Sequence, residues 1–240
     1  MIWAVIPAAG RGTRFGGPLP KQYMEIAGRP LLGHALDALF ADPRVDGAMV
    51  ALAADDDRWP GWTSLHGRPV LSCVGGGERA DSVLAALQAL PADVGDDALI
   101  LVHDAARPNL HALDLQRLID AASADADGAI LAAPVRDTLK RADAGADAGA
   151  DVRILATQPR DHLWRALTPQ AFRRGDLTAA LLRARADDVA VTDEAMAMER
   201  TGARPRLVEG REDNLKVTTP ADLALAEFLL SRRGQARGKR

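Results

Sequence analysis

The chain has 240 residues, 48% hydrophobic and 26% charged, enough for one sizeable domain with a real core and of ordinary globular composition. A formal net charge of -3 excludes a general polyanion-binding surface, and 4% aromatics exclude a row of rings for stacking bases, so no nucleic-acid partner is expected and any phosphate site is local. The single cysteine, Cys73, excludes an internal disulfide framework and suits a reducing compartment.

Residues 3–6 form a short apolar run that ends at Pro7 and enters a loop of small residues, AAGRGTRFGGPLPKQY, with Arg11, Arg14 and Lys21 spaced among Gly10, Gly12, Gly16 and Gly17. Glycine lets backbone approach a ligand closely, and a strand that runs straight into such a loop delivers amides and cations to the carboxyl edge of a sheet. Two common phosphate loops do not fit. The GxxxxGK[ST] pattern is missing, and the third glycine of GxGxxG falls one place late, before Pro18 and Pro20, which block a helix there. The loop is expected to be extended and to cradle a nucleoside triphosphate.

Leucines and alanines at helical spacing predict a helix over 30–40, and 46–53 reads as an apolar strand. Residues 54–67, with Trp59, Pro60, Trp62 and three aspartates, show no period and read as a surface excursion. A strand over 69–74 carries Cys73 as a small buried hydrophobe. GGGERADSV then leads into a helix through Leu90, and 98–102 is a continuous apolar strand ending at His103 and Asp104. This alternation argues for a parallel sheet covered on both faces.

A helix over 112–124 and a strand over 128–135 continue the rhythm, and residues 136–160 then break it. Two strand-capable pieces flank the run ADAGADAGAD, which predicts a hairpin projecting from the domain and packing on something else, since an isolated hairpin is marginal in water. Residues 169–186 and 193–200 are expected to be helical, 204–209 a strand, and 220–233 a closing helix with Pro220 at its start. A domain over 1–233 and a frayed basic tail over 234–240 follow. The chain opens on a strand-like segment with no signal-peptide pattern and holds no bilayer-length apolar stretch, so no membrane is involved and a cytoplasmic location is expected.

AAGRGTRFGGPLPK resembles the signature of nucleotidyltransferases that join a sugar or polyol phosphate to a nucleotide. VHDAARP (102–108), LTPQAF (167–172), TDEA (192–195) and EGREDNLKVTTPADL (209–223) resemble one family among them, the 2-C-methyl-D-erythritol 4-phosphate cytidylyltransferases of non-mevalonate isoprenoid synthesis. The matches run from the first strand almost to the last helix. The resemblance implies an α/β, Rossmann-like, mostly parallel sheet with helices on both faces, a β-hairpin arm over 136–160 that embraces a second subunit, and a homodimer.

It also implies roles for residues. Arg14 and Lys21, with Arg160 and Lys216, would be the catalytic cations. Pro7, Ala8, Ala9, Gly10, Gly12, Gly76, Ser82, Asp104 and Ala105 would hold CTP, with Gly77 standing where relatives often carry a polar residue. Arg107, Thr138, Arg160, Thr192 and Lys216 would hold the polyol phosphate, Thr138 and Arg160 reaching across from the partner. Asp104 and Asp213 would hold Mg²⁺, which favours one or two carboxylates together with phosphate oxygens. His103 has no metal-binding set around it and reads as structural. Transfer to an α-phosphate needs charge neutralisation and alignment rather than a nucleophilic side chain. Ribitol 5-phosphate, or another polyol phosphate, is the alternative acceptor. A nucleotide-binding module without catalysis is the alternative of a different class, disfavoured by Arg14, Lys21, Asp104 and Lys216 standing together.

Overall fold

The structure is a computed structural model that describes residues 1–10, 19–143 and 152–237. In chain order its elements are β1 (Ile2–Pro7), a single 3₁₀ turn (Lys21–Tyr23), β2 (Glu25–Ile26), β3 (Arg29–Pro30), α1 (Leu31–Leu39), β4 (Gly47–Leu52), β5 (Ser64–Leu65), β6 (Arg68–Val74) and α2 (Arg79–Ala89). Then follow β7 (Leu99–Val102), α3 (Ala112–Ser123), β8 (Ala129–Pro134), β9 (Leu139–Ala142), β10 (Ile154–Gln158), β11 (Trp164–Arg173), α4 (Arg174–Ala186), α5 (Glu194–Glu199), β12 (Arg206–Glu209) and α6 (Pro220–Arg237).

Among the described residues the main sheet has eight strands in the order β12-β8-β11-β7-β1-β4-β6-β5. Its strands pair in parallel, except that β11 runs antiparallel between β7 and β8 and β5 pairs antiparallel with β6. Alternation along β1 divides the core. Ala4 and Ile6 face the layer built by Leu32, Leu36 and Leu39 of α1 and Leu115, Leu118 and Ile119 of α3. Trp3 and Val5 face the opposite layer, with Val83 and Leu87 of α2, Leu177 and Leu181 of α4 and Met198 of α5. Both faces of the sheet are therefore covered, as the continuous apolar runs of β1, β4 and β7 require. The chain starts at β1, moves outward through β4 and β6, and returns to β7 on the other side of β1. That reversal opens a crevice at the carboxyl ends of β1 and β7, the place where open α/β sheets bind ligands.

Four expectations need correction. The helix predicted over 169–186 starts at Arg174, because 164–173 is strand β11, whose residues Leu167 to Phe172 are all buried. A short run covered on both faces carries no period that separates strand from helix, and Pro169 mimicked a helix start. The opening loop is not extended throughout, since Lys21–Tyr23 closes a 3₁₀ turn behind Pro20. The 54–67 excursion is only partly exposed: Trp59 and Trp62 meet edge to face at 5.3 Å and pack on the core, and β5 adds a short antiparallel edge. The closing helix runs to Arg237, because Gln235, Ala236 and Arg237 favour helix and one glycine costs only about 1 kcal/mol. The expected tail thus begins inside α6, and 238–240 lie outside the described residues.

The hairpin at 136–160 is present as β9 paired with β10, Leu139 opposite Gln158. Its tip over 144–151 lies outside the described residues. None of the helices described is long and apolar enough to cross a membrane.

Candidate active site

The crevice holds a cavity of about 430 Å³. Three strand ends build it. β1 gives Pro7, Ala8, Ala9 and Gly10; β6 and the start of α2 give Gly76, Gly77, Glu78, Arg79 and Ser82; β7 gives Asp104, Ala105 and Ala106. Lys21 and Gln22 of the 3₁₀ turn and Lys216 and Thr218 from the segment before α6 complete the lining.

The small residues are there for clearance. A Cβ on Gly75 would stand 2.8 Å from the Ala9 Cβ, and one on Gly76 would stand 2.2 Å from the Asp81 Cβ. The turn into α2 therefore lies directly against the loop after β1, at a separation that side chains would prevent. Ser82 fixes this turn: its hydroxyl accepts from the Gly76 amide at 3.2 Å and is within donating distance of the Glu78 carbonyl at 3.1 Å. Gly77 differs, since a Cβ there meets nothing within 4 Å. A polar side chain would fit at that position, opening on the cavity.

Asp104 is the electrostatic centre. It is 7% exposed, and three cations surround it: Arg79 Nε at 3.1 Å from Oδ1, Lys216 Nζ at 2.8 Å from Oδ2 and Arg107 Nε at 3.5 Å from Oδ2. Burial pushes its carboxyl up, but Arg79, Lys216 and Arg107 together outweigh this and hold it well below the usual carboxylate range. Arg79 is itself held by a buried partner, giving Nη1 and Nη2 to the two oxygens of Glu194 at 2.6 and 3.0 Å. Burial opposes the Arg79 charge, yet Glu194 and Asp104 overcome it and keep the guanidinium protonated.

Glu194 is placed by the cap of α5. Asp193 Oδ1 accepts from the Met196 amide at 2.9 Å, while Gln170 of β11 donates to Asp193 and accepts from the Ala195 amide at 2.8 Å. Lys216 is placed by pinning its segment to the β7 loop. Val217 N donates to Ala106 O at 2.8 Å, Arg107 Nη1 donates to Asn214 O at 2.7 Å, and Asn214 Nδ2 donates to Thr168 O at 2.8 Å.

His103 is structural, as its surroundings in sequence implied. It is fully buried, and burial pushes its imidazole down to about 4. Thr168 Oγ1 accepts from the Asp104 amide at 3.1 Å and lies 2.9 Å from Nδ1, to which it donates; Nε2 then donates to Arg107 O at 3.0 Å. A neutral ring satisfies all of these bonds.

Of the residues singled out in the sequence, the cavity brings together Pro7, Ala8, Ala9, Gly10, Lys21, Gly76, Ser82, Asp104, Ala105 and Lys216. Arg14 and Gly12 lie outside the described residues. Arg107 is partly buried, turned to Asp104 and the Asn214 carbonyl, and does not line the cavity. Thr138, Arg160 and Thr192 are exposed and away from the lining; Arg160 donates to the Arg136 carbonyl, and Thr192 contacts Met196 Sδ. Asp213 also stands outside it, paired with Arg211 at 2.7 Å. Sequence reasoning missed Arg79, Glu194, Gln170 and Thr168. The readable signal was a Glu just after the α5 cap and polar residues inside an apolar strand.

Among the described residues no three His, Cys, Asp or Glu side chains gather as a metal-binding group. The cavity offers an ionised Asp104. That donor set suits a hard divalent cation shared between one carboxylate, phosphate oxygens and water, and not a closed protein cage.

The 2-C-methyl-D-erythritol 4-phosphate cytidylyltransferase family model matches residues 2–232. The enzyme of that name from Stenotrophomonas maltophilia (strain K279a) is 64% identical over 234 residues, 97% of each chain. The one from Xanthomonas oryzae pv. oryzae (strain PXO99A) is 62% identical, covering 98% of this chain and 84% of its own. A crystal structure of a 4-diphosphocytidyl-2C-methyl-D-erythritol synthase superposes with a TM-score of 0.80 at 37% identity, covering 95% of this chain and 98% of the other. The Francisella tularensis 2-C-methyl-D-erythritol 4-phosphate cytidylyltransferase gives 0.79 at 30% identity, covering 95% and 99%. With three strand ends and the Asp104 cluster set at one crevice, and with the family model and these relatives matching nearly its whole length, the chain belongs to the 2-C-methyl-D-erythritol 4-phosphate cytidylyltransferase family.

Proposed function

We propose that the chain transfers the cytidylyl group of CTP to 2-C-methyl-D-erythritol 4-phosphate, giving 4-diphosphocytidyl-2-C-methyl-D-erythritol and pyrophosphate. The observation that carries this reading is a cavity of nucleotide size lined on one side by small residues of three strand ends and holding a carboxylate ringed by cations. Ala8, Ala9, Gly10 and Gly76 line it, and with such small side chains their main-chain groups would be open to a pyrimidine edge. Lys21 and Lys216 face the cavity where the phosphates must lie.

In the reaction, an oxygen of the acceptor phosphate forms a bond to the α-phosphorus of CTP. The bond between the α-phosphorus and the bridging oxygen breaks, and pyrophosphate leaves with that oxygen. Both reactants are anions, so the enzyme's task is to hold them in line and to neutralise charge that grows on the oxygens. Lys21 supplies that charge on one side and Lys216, oriented by Asp104, on the other, and Arg14 is assigned the same task on the resemblance of its loop alone. Mg²⁺ held by Asp104 would draw together the triphosphate oxygens and offset their charge. Asp104 lines the cavity and Asp213 does not, so Asp104 is the carboxylate assigned to the ion.

Thr138 and Arg160 stand at the two roots of the hairpin, off their own cavity, and are read as reaching the site of a second subunit. Support comes from apolar surface on and beside the arm: Ile154 is 67% exposed, Leu155 56% and Val152 53%. Side chains of this kind on a two-stranded hairpin call for a covering surface. A homodimer whose arms exchange supplies one. CTP labelled at the α-phosphorus tests the chemistry: the label must appear in the sugar-alcohol product and not in pyrophosphate. Label in pyrophosphate, or release of labelled CMP alone, would contradict it.

A further inference from the structure

The 3₁₀ turn that carries Lys21 is held from outside the nucleotide site. Tyr23, 6% exposed, donates its hydroxyl to Asp56 Oδ2 at 2.7 Å. The other oxygen of Asp56 accepts from the amides of Arg58 and Trp59 at 2.9 and 3.1 Å, and the Asp56 amide closes a turn on Ala53 O at 3.1 Å. Trp59 and Trp62 then seat the same segment on the core cluster to which Tyr23 also belongs, with the Trp62 ring against Gly33 of α1. On its inner side the turn is tied to the strand that feeds the loop, since Gln22 Nε2 donates to Ala8 O at 2.8 Å.

Residues 54–63 form no strand or helix, so the segment is held by side-chain contacts and not by a ladder of backbone bonds. Asp56 is the joint at which the segment meets the catalytic loop. Burial, and next the Asp56 hydrogen bond, push the Tyr23 phenol up, so the hydroxyl stays a donor across the working pH range.

We propose that Asp56, acting through Tyr23, is a positioning residue for the transfer reaction: the 54–63 segment clamps the Lys21 turn so that the ammonium is aimed at the phosphate being transferred. This rests on the reading of Lys21 as a cation at that phosphate. The clamp touches neither substrate. Its loss should leave CTP binding by Ala8, Ala9 and Gly76 intact while displacing a charge that acts in the transition state, which lowers kcat and spares KM.

The test is steady-state kinetics of Tyr23→Phe, Asp56→Ala, Asp56→Asn, Lys21→Ala and the Tyr23→Phe/Lys21→Ala double variant, with a melting curve for each. Tyr23→Phe keeps the buried ring and removes only the hydroxyl. Its kcat should fall about tenfold with KM for CTP within about twofold, since displacements of an ångström or less can cost up to about a hundredfold. Asp56→Ala should fall at least as far, and Asp56→Asn, which keeps an oxygen for the two amides, should recover part of the loss. In the Lys21→Ala background, Tyr23→Phe should cost less than about twofold more, because the group it positions is gone. A lower melting temperature with wild-type kcat in Tyr23→Phe, or the same fold-loss with and without Lys21, overturns the proposal. Wild-type kcat in Lys21→Ala would remove the reading of Lys21 and the clamp together.

Discussion

Removing Glu194 isolates an ion pair at the cavity wall, whose carboxylate is buried and whose guanidinium lines the cavity. Its carboxylate is 1% exposed and takes two hydrogen bonds from Arg79, whose Nε alone reaches Asp104. In Glu194→Ala the guanidinium keeps Asp104 but loses the partner that faces its other two nitrogens. Breaking a fully buried pair from one side leaves the other charge uncompensated, at a cost of about 3–5 kcal/mol, and the remaining Asp104 contact and the partial exposure of Arg79 put this case at the low end, near 3. For a chain of this length each kcal/mol moves the melting temperature by about 2–4 °C, so a drop of about 6–12 °C is expected. Glu194→Gln preserves shape and one acceptor and should lose about half as much. The assay is urea unfolding at neutral pH, at matched protein concentration. A Glu194→Ala protein within about 0.5 kcal/mol of wild type, the range of an ordinary surface substitution, would refute the claim that Arg79 depends on this carboxylate.

Three other outcomes follow from the same geometry. Lys216→Ala should lower kcat about a hundredfold, as loss of one transition-state donor does, with folding retained; steady-state kinetics and a melting curve read both. His103 titrates ordinarily near 6.5 in the unfolded chain, and burial holds it to about 4 in the folded one. Its contribution is therefore fully present above pH 6.5 and lost as pH falls through 4, about 3 kcal/mol in all, and unfolding curves of wild type and His103→Gln across that window should differ in slope. If the site is shared, Lys216→Ala and Arg160→Ala proteins, each nearly inactive, should regain about one quarter of wild-type activity on equilibration together, since half of the dimers are mixed and each mixed dimer has one intact site. No recovery would place Arg160 in its own subunit's site or outside catalysis.

The sequence made the crevice legible where function is local. The AAGRG loop, the VHDAARP turn and the GGGER turn each follow an apolar run, so strand ends and site residues could be read together, and ten of the residues named there do line one cavity. What was hidden is what joins distant segments. Arg79 and Glu194 are 115 residues apart, and nothing in either neighbourhood announces the other. Thr168 and Gln170 were concealed for another reason. They sit in a strand buried on both faces, where Leu167, Ala171 and Phe172 give no period and Pro169 gives a false helix start. Tyr23 and Asp56 show the same limit: the aspartates of 54–57 read as surface charge because the burial of Trp59 and Trp62 is a property of the packed core.

The most direct measurement is pyrophosphate release by the purified protein with Mg²⁺, offering CTP, UTP, GTP and ATP in turn against 2-C-methyl-D-erythritol 4-phosphate and ribitol 5-phosphate. Turnover with CTP and the methylerythritol phosphate, far above every other pair, is the predicted result. Turnover with ribitol 5-phosphate in its place, or release from no pair at all, would contradict it.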